Sequence, residues 1–221
     1  MQYKGIIFDL DGTLFNSIED IADAVNSSLT DAGLDIYPVE KYISWIGNGA
    51  YKLVERALPE NLKSDEQIHL FLDKFLEAYD NNWNVKSNIY EGIPDVLDFL
   101  LQEEFSMSIL SNKPHLLTQK IAGYYFKRWK FECVFGQRDG IPKKPDPQAA
   151  LKIAGICGLN PKEFLYVGDS ETDIKTALAA GMLPVGVTWG YGTKQAIADA
   201  GAIYIINRAD ELIELVHSLK I

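Results

Sequence analysis

The sequence is poor in cysteine and contains no long apolar run. Its two cysteines, Cys133 and Cys157, have no metal-binding spacing and are too few for a disulfide framework. No uninterrupted apolar stretch approaches the roughly 18 residues that a membrane-spanning helix needs, and the first residues do not resemble a secretion signal. We therefore expect a soluble, cytoplasmic protein that is stabilised by its hydrophobic core.

Positive charge is also scarce. Among the 221 residues, 21 are Lys or Arg and 31 are Asp or Glu, which gives a formal net charge of -10. Nucleic acids and anionic membranes bind to basic surfaces, so we expect neither of them as a partner. An anionic small-molecule substrate would need cations placed locally at its site. We expect such a small-molecule partner, and a protein that is a monomer or a weak homodimer.

The order of the apolar patterns predicts an α/β protein with an insertion. Ile6–Phe8 is a short apolar run typical of a buried parallel strand. Helical spacing dominates residues 16–89 without an intervening strand, and one of these helices is expected at 39–46. Strands and helices then alternate, which predicts a parallel sheet. The strands are expected at 106–110, 131–135, 164–167, 184–187 and 202–206. We therefore expect a core of residues 1–15 and 90–221 and an inserted all-helical domain of residues 16–89.

Four polar clusters stand out, and three of them directly follow an apolar run. They are Asp9-Leu10-Asp11-Gly12-Thr13, Ser111-Asn112-Lys113, Lys143-Lys144-Pro145 and Gly168-Asp169-Ser170-Glu171-Thr172-Asp173. Because the carboxyl ends of parallel strands lie along one edge of a sheet, clusters that are far apart in sequence should converge there. A single cluster is explained equally well as a solvated turn. The convergence of all four indicates a functional site.

The residue types in the clusters favour phosphoryl transfer with a magnesium ion. Several carboxylates without histidine or cysteine form the kind of site that suits Mg2+ rather than Zn2+. A carboxylate that attacks a phosphate dianion also meets like charge, which costs about 4 kcal/mol at ~4 Å and an effective dielectric constant of about 20. A divalent cation and a lysine would offset this repulsion.

The positions of the side chains suggest separate roles. Asp9, at the end of the predicted strand, is expected to be the nucleophile, and Asp11 on the following turn the general acid and base. We expect the metal to bind Asp9, Asp169 and the main-chain carbonyl of Asp11, with Asp173 as a further ligand or an orienting carboxylate. The expected phosphate-binding residues are Gly12, Ser111, Asn112 and Lys144.

Taken together and in this order, the four clusters resemble the four motifs of the haloacid dehalogenase-like hydrolases. The resemblance covers the whole core and implies a Rossmann-like parallel sheet, Mg2+ as cofactor and an aspartyl-phosphate intermediate on Asp9. The insertion after the first cluster resembles the small α-helical cap of that family. Because the dehalogenases of the family lack an acid/base aspartate where this chain has Asp11, the resemblance favours a phosphatase or a phosphomutase.

Part of the insertion resembles the cap of bacterial phosphoglycolate phosphatases, which implies 2-phosphoglycolate as the best candidate substrate. The matching stretches are Trp45-Ile46-Gly47-Asn48-Gly49-Ala50 and Leu53-Val54-Glu55-Arg56-Ala57-Leu58. Asn48 stands where a helix is expected to begin, and Lys52 and Arg56 share one face of that helix. These three are the expected specificity residues, although solvated surface charge explains the two cations equally well.

Other functions remain open at the level of sequence. A sugar-phosphate mutase of the β-phosphoglucomutase type, or a pyrophosphatase, would use the same core motifs. A non-enzymatic phospho-signalling receiver also has aspartates, a hydroxyl and a lysine before proline, but its lysine comes last, whereas Lys144 precedes Asp169. The stretch 168–172 nearly matches a nucleophile elbow, but Ser170 is expected to cap the next helix. Gly190 and Gly192 lack the third glycine of a dinucleotide fingerprint and are expected to form a loop.

Overall fold

The structure is a computed structural model that describes residues 3–219. Its strands and helices in chain order are β1 (Gly5–Phe8), β2 (Phe15–Asn16), α1 (Ile18–Thr30), α2 (Val39–Ile43), α3 (Ala50–Ala57), α4 (Asp65–Asn82), β3 (Asn88–Ile89), α5 (Ile93–Gln102), β4 (Ser106–Pro114), α6 (His115–Tyr125), β5 (Cys133–Gln137), α7 (Gln148–Cys157), β6 (Phe164–Gly168), α8 (Glu171–Ala180), β7 (Leu183–Val187), α9 (Lys194–Asp199), β8 (Tyr204–Ile206) and α10 (Asp210–Leu219). The ends of the predicted core, residues 1–2 and 220–221, lie outside the described residues. None of the helices within 3–219 combines the length and apolar character that are required to cross a membrane.

The chain divides into two compact units. One unit consists of Met1–Phe15 with Ile89–Ile221, and the other of Asn16–Asn88. The chain passes from the first unit to the second at β2 and returns at β3. The first unit is therefore discontinuous in sequence, and the second is a single continuous segment.

A parallel sheet forms the centre of the first unit. Its six described strands have the order β5-β4-β1-β6-β7-β8. The central strand β1 pairs with β4 and β6, and Phe8 lies in register with Ile109 and Val167. Both faces of β1 are covered, because Ile6, Ile7 and Phe8 are all fully buried. The α/β class predicted from the sequence, with its parallel Rossmann-like sheet, is confirmed.

The pairing of β1 places its carboxyl end beside the ends of β4 and β6. The main-chain N–H of Asp9 donates to the Val167 carbonyl at 2.9 Å, so the pairing with β6 continues one residue beyond β1. Asp9 is thereby fixed at the edge of the sheet, and Gly168 and Asp169 follow Val167 at the end of β6. This is the edge at which parallel α/β sheets bind ligands.

Several elements differ from their predicted bounds. β6 and β7 are each one residue longer, and β8 begins at Tyr204 instead of 202. The differences in β4, β5 and α2 are as follows. β4 continues to Pro114 because its hydrogen bonding to β5 resumes after a bulge between Leu110 and Pro114, so residues 111–113 belong to the strand. β5 is Cys133–Gln137 instead of 131–135. α2 is shorter than the expected helix 39–46, because the N–H groups of Ser44 and Trp45 bond to carbonyls only three residues back.

The helical unit is tied together by the buried carboxylate of Asp20 in the first turn of α1. It accepts hydrogen bonds from the main-chain N–H groups of Val85, Lys86 and Ser87 at 2.9–3.1 Å, and from the Ser87 hydroxyl at 2.6 Å. Asp20 is only 2% exposed, so these bonds satisfy a charge that would be costly to bury alone. The first and last segments of the unit are joined through this one side chain.

Candidate active site

Three buried carboxylates converge at the carboxyl edge of the sheet. Asp9 follows β1, Asp169 follows β6, and Asp173 lies in the first turn of α8. One carboxylate oxygen from each lies within 4.8 Å of those of the other two, and all three side chains are buried. Oxygen atoms at this spacing could hold a metal ion.

Lys144 lies among these carboxylates, and all three N–H donors of its ammonium group form hydrogen bonds. Its Nζ donates to Asp9 Oδ1 at 2.7 Å, to Asp173 Oδ1 at 2.6 Å and to the Leu110 carbonyl at 3.1 Å. An ammonium has three donors, and here each has an acceptor. Although burial alone would lower it, the Asp173 and Asp9 carboxylates hold the pKa of Lys144 well above its ordinary value. Lys144 is therefore a fixed positive charge beside Asp9.

Asn112, in the cluster at the end of β4, forms hydrogen bonds with the main chain of Lys144. The Asn112 side chain accepts from the Lys144 main-chain N–H at 3.0 Å and donates to the Lys144 carbonyl at 3.2 Å. Ser111, which is 5% exposed, accepts a hydrogen bond from the Lys113 N–H at 3.2 Å. Asn112 therefore positions the main chain of Lys144. Direct binding of phosphate by Asn112 and Ser111 stays a prediction.

Asp173 is held in place by the cap of α8. Ser170 occupies the N-cap position and forms a capping box in which its hydroxyl accepts from the Asp173 N–H. In return, Asp173 Oδ2 accepts from the Ser170 N–H at 3.1 Å and from its hydroxyl at 2.5 Å. Ser170 thus caps a helix, as expected, and both oxygens of Asp173 have partners in Ser170 and Lys144.

Asp169 is bound on one side by the main chain that follows β7. Its Oδ2 accepts from the Tyr191 N–H at 2.7 Å and the Gly192 N–H at 3.4 Å, and its Oδ1 accepts from the Thr13 hydroxyl at 3.4 Å. Gly12 lies against the same carboxylate with φ +90°, and a Cβ there would approach Asp169 Oδ2 to 2.3 Å. Only glycine fits at position 12.

The electrostatics of the cluster fit a divalent cation. Burial raises the pKa of Asp9 well above its ordinary value, against the influence of Lys144, and Asp173 and Asp169 raise it further. Burial, followed by the charge of Asp173, raises the pKa of Asp169 to about 7. When all are ionised, three carboxylates and one ammonium leave two negative charges uncompensated in a buried place, which is unfavourable. A doubly charged cation with a preference for oxygen would balance them.

Lys113 is a site residue to which the sequence analysis gave no role. Its Nζ lies 3.1 and 3.2 Å from the two carboxylate oxygens of Asp11, and its side chain is only 5% exposed. Asp11, the expected acid/base residue, is therefore held by a buried cation. The predicted strand ended at residue 110, so the sequence did not place Lys113 inside β4, where a buried lysine requires a charged partner.

The loop after β7 was also missed as part of the site. Gly190 and Gly192 were expected to form a loop without function, whereas the residues around them contact Thr13 and Asp169. The Trp189 indole N–H donates to the Thr13 carbonyl at 3.0 Å. The rule that found the other clusters, that polar and glycine-rich segments follow the carboxyl ends of parallel strands, also applies to β7.

The expected specificity residues lie in the helical unit, at the start of α3 and along it. Arg56 donates to the Trp45 carbonyl at 2.6 Å and to Asn48 Oδ1 at 2.7 Å, so it holds the turn before α3. Lys52 pairs with Glu55 at 2.6 Å. Both of these acceptors of Arg56 are neutral, so the contacts do not compensate the positive charge of Arg56. The positive charge of Lys52 is balanced by the Glu55 carboxylate. Their role in specificity stays a prediction.

Comparison with known proteins agrees with this arrangement. Residues 6–187 match the family model of the haloacid dehalogenase-like hydrolases. Phosphoglycolate phosphatase 1 of Pseudomonas aeruginosa is 36% identical over 218 residues, which cover 94% of this chain and 78% of that protein. The phosphoglycolate phosphatase of Mannheimia succiniciproducens is 35% identical, with 97% and 99% covered.

A solved structure has the same fold. It is from Haemophilus somnus, a protein for which phosphoglycolate phosphatase activity is predicted, and it superposes with a TM-score of 0.89 at 31% identity, covering 97% of this chain and 98% of that one. The family model spans the motifs that supply Asp9, Lys144 and Asp169, and the structural match extends over nearly the full length. The chain therefore belongs to the haloacid dehalogenase-like hydrolases.

Proposed function

We propose that this hydrolase is a Mg2+-dependent phosphatase of small phosphorylated metabolites, with 2-phosphoglycolate as the best candidate substrate. The observation that carries the proposal is the buried group of Asp9, Asp169, Asp173 and Lys144, in which the lysine contacts Asp9 directly. The substrate is inferred from the names of the relatives from Pseudomonas aeruginosa and Mannheimia succiniciproducens.

The reaction would proceed in two displacements at phosphorus. An Asp9 carboxylate oxygen attacks the phosphoryl group, the bond from phosphorus to the substrate oxygen breaks, and Asp11 gives a proton to that oxygen. Asp11 then takes a proton from water, which attacks the aspartyl-phosphate, releases inorganic phosphate and restores the Asp9 carboxylate. Lys113, 3.1 Å from Asp11, would keep the Asp11 side chain oriented for both transfers.

The metal would be held by Asp9, Asp169 and the main-chain carbonyl of Asp11. When bound, Mg2+ offsets the repulsion between the attacking carboxylate and the phosphate oxygens. Asp173, whose two oxygens bond to Lys144 and Ser170, would act by orienting Lys144. Of the two roles expected from the sequence, a metal ligand or an orienting carboxylate, Asp173 would therefore have the second.

Phosphate binding would use groups at the ends of β1 and β4. Lys144 supplies positive charge, and Ser111 can donate its hydroxyl proton because its oxygen accepts from the Lys113 N–H. Gly12 allows the main chain to approach the phosphate without a side chain. Asn112 contributes through its two hydrogen bonds to the Lys144 main chain.

Selectivity for a substrate with a carboxylate would come from the helical unit, which we propose to be a cap domain. Asn48 and Lys52 would contribute with Arg56, whose guanidinium is bonded to neutral oxygens. Replacing Arg56 by Ala should raise the KM for 2-phosphoglycolate more than the KM for p-nitrophenyl phosphate, which has no carboxylate. Arg208→Ala, at an exposed arginine paired with Asp210, is the matched control. Equal changes for the two substrates would argue against a role in selectivity.

The function is tested by measuring phosphate release with Mg2+ over a panel of substrates. The panel contains 2-phosphoglycolate, β-glucose 1-phosphate, pyrophosphate and p-nitrophenyl phosphate. The highest kcat/KM is expected for 2-phosphoglycolate. A preference for pyrophosphate, or conversion of β-glucose 1-phosphate into its isomer, would instead assign a pyrophosphatase or a mutase, and a single turnover would indicate a phospho-signalling module.

Substitution of the nucleophile tests the mechanism separately. Asp9→Asn should abolish phosphate release, whereas Asp73→Asn, at an exposed aspartate of α4, should retain the wild-type rate. Rapid-quench labelling with a 32P-labelled substrate should trap an acid-stable phosphoprotein in the wild type and none in Asp9→Asn. Phosphate release by the Asp9→Asn protein at the wild-type rate would refute the assignment.

A further inference from the structure

Residues 188–192, Thr188-Trp189-Gly190-Tyr191-Gly192, are here called the β7 loop. The loop is anchored at its base, where the Thr188 N–H donates to the Ile206 carbonyl at 3.1 Å and the Thr188 hydroxyl to Asn207 Oδ1 at 3.1 Å. It is anchored again by the Trp189 indole, which donates to the Thr13 carbonyl at 3.0 Å. The main chain between these anchors is therefore held against the first and fourth motifs.

The two glycines of the β7 loop are required by this close approach. A Cβ on Gly190 would lie 2.1 Å from the Gly12 carbonyl oxygen and 2.5 Å from Asp169 Oδ2. A Cβ on Gly192 would lie 1.9 Å from the Asp169 carbonyl oxygen. All of these atoms are main chain or a buried carboxylate, so they cannot move aside easily. The sequence Gly-Tyr-Gly is what lets the loop reach Asp169.

The loop makes the two oxygens of Asp169 inequivalent. Oδ2 accepts from the Tyr191 and Gly192 N–H groups at 2.7 and 3.4 Å, whereas the one hydrogen bond that Oδ1 accepts within residues 3–219 comes from the Thr13 hydroxyl at 3.4 Å. Hydrogen bonds from main-chain N–H groups to a carboxylate are charge-assisted and stronger than neutral ones. A cation at the cluster would consequently meet Asp169 through Oδ1 alone.

We propose that the β7 loop makes the metal centre selective for Mg2+ over Ca2+ by restricting Asp169 to one metal-facing oxygen. The inference rests on the proposed function, in which Asp169 is a metal ligand. Mg2+ prefers six ligands in octahedral geometry, whereas Ca2+ takes about six to eight oxygens and often both oxygens of one carboxylate. With Oδ2 bonded to the loop, Asp169 cannot supply the second oxygen, so the larger ion lacks a ligand that a freely rotating carboxylate would provide.

The test is isothermal titration calorimetry of EDTA-stripped protein with Mg2+ alone and with Ca2+ alone. Tyr191→Pro removes the N–H that donates to Asp169, and Tyr191→Ala removes the same ring but keeps the N–H. Gly192→Ala displaces the loop by its clash with the Asp169 main chain, and Gly155→Ala, at a helical glycine with nothing within 4 Å of the added Cβ, is its control. The measured quantity is the ratio of the Ca2+ Kd to the Mg2+ Kd, which a general loss of stability would not change.

The ratio should fall by about tenfold in Tyr191→Pro and Gly192→Ala, and should stay within about twofold of wild type in Tyr191→Ala and Gly155→Ala. Tyr191→Pro and Gly192→Ala weaken the contact of the loop with Asp169 in different ways, so either variant that remains folded gives an answer. Equal ratios in Tyr191→Pro and Tyr191→Ala, or in Gly192→Ala and Gly155→Ala, overturn the proposal. If the wild type still releases phosphate with Mg2+ in that case, only the role of the loop is wrong, whereas a wild type that binds no Mg2+ overturns the proposed function as well.

Discussion

Replacing Asp169 by asparagine in the metal-free protein is expected to stabilise the fold above pH 7 while changing little at low pH. Asparagine resembles the protonated carboxyl in size and lack of charge, and its oxygen can still accept from the Tyr191 N–H that now bonds Asp169 at 2.7 Å. The substitution thus removes a buried charge that has no full compensation when the metal is absent. Its effect on the free energy of unfolding must then depend on the protonation of Asp169.

The magnitude follows from the pKa. Burial raises the pKa of Asp169 from 3.8 to about 7, while the unfolded chain keeps the ordinary value. Between these values the folded protein binds one more proton than the unfolded chain, so the free energy of unfolding falls as the pH rises. The contribution of Asp169 to stability is present in full below the lower pKa and lost as the pH rises through the higher one. The difference between a pKa of 3.8 and one of about 7 corresponds to roughly 4 kcal/mol of unfolding free energy.

The assay is urea denaturation in EDTA from about pH 5 to about pH 8, followed by tryptophan fluorescence. The difference between Asp169→Asn and wild type is used, because it cancels the titration of the carboxylates outside the cluster; within the cluster the substitution also lowers the pKa of Asp9, which the charge of Asp169 raises. This difference should grow with pH in favour of the variant, and it should reverse in sign when Mg2+ is added, since the variant lacks a charged ligand. A difference that stays constant over the whole pH range in EDTA would refute the electrostatic reasoning.

Two further substitutions test contacts of other buried charges. Lys113→Met should lower kcat/KM for 2-phosphoglycolate by about 10²-fold and kcat/KM for p-nitrophenyl phosphate much less. The reason is that the alkoxide released from 2-phosphoglycolate needs the proton from Asp11, whereas p-nitrophenolate leaves without it. Steady-state kinetics with both substrates measure this, and equal losses would contradict it. Asp20→Ala removes the acceptor of four hydrogen bonds and should cost about 3 to 5 kcal/mol of unfolding free energy in urea titrations. Asp20→Asn should give a smaller loss because it keeps one acceptor oxygen, and a wild-type midpoint for Asp20→Ala would show that these bonds do not stabilise the unit.

The convergence of the main motifs could be predicted from the sequence because it depends on topology alone. Once Ile6–Phe8 is taken as a central parallel strand, the residues after each strand must meet at one edge of the sheet, whatever the details of side-chain packing. Asp9 and Asp169 follow directly from this rule, Lys144 lies in the segment that connects β5 to α7, and the structure places the three together. The residue types alone then point to a cation site that binds through oxygen.

The finer contacts depend on register and on main-chain geometry, which residue types do not specify. Lys113 contacts Asp11 from the part of β4 in which the pairing with β5 shifts register, between Leu110 and Pro114, and residue types alone do not reveal such a shift. The β7 loop binds Asp169 through main-chain N–H groups, which every residue except proline possesses. The side chains of the loop therefore do not indicate this contact, and only the two glycines, Gly190 and Gly192, point to a close approach of the main chain.

The position of β1 at the centre of the sheet has a consequence for biosynthesis. Both neighbours of β1 come much later in the chain, since β4 begins at Ser106 and β6 at Phe164. At a translation rate of roughly 5–20 residues per second, the ribosome needs about 5 to 20 s to make the ~100 residues that separate β1 from β4. The same time separates the emergence of β1 from that of β4, and within it the continuous segment Asn16–Asn88 emerges in full, whereas the apolar strand before it still has no partner. Nascent chains of this protein should therefore acquire a protease-resistant helical unit first, with β1 exposed to chaperones until β4 emerges from the ribosome.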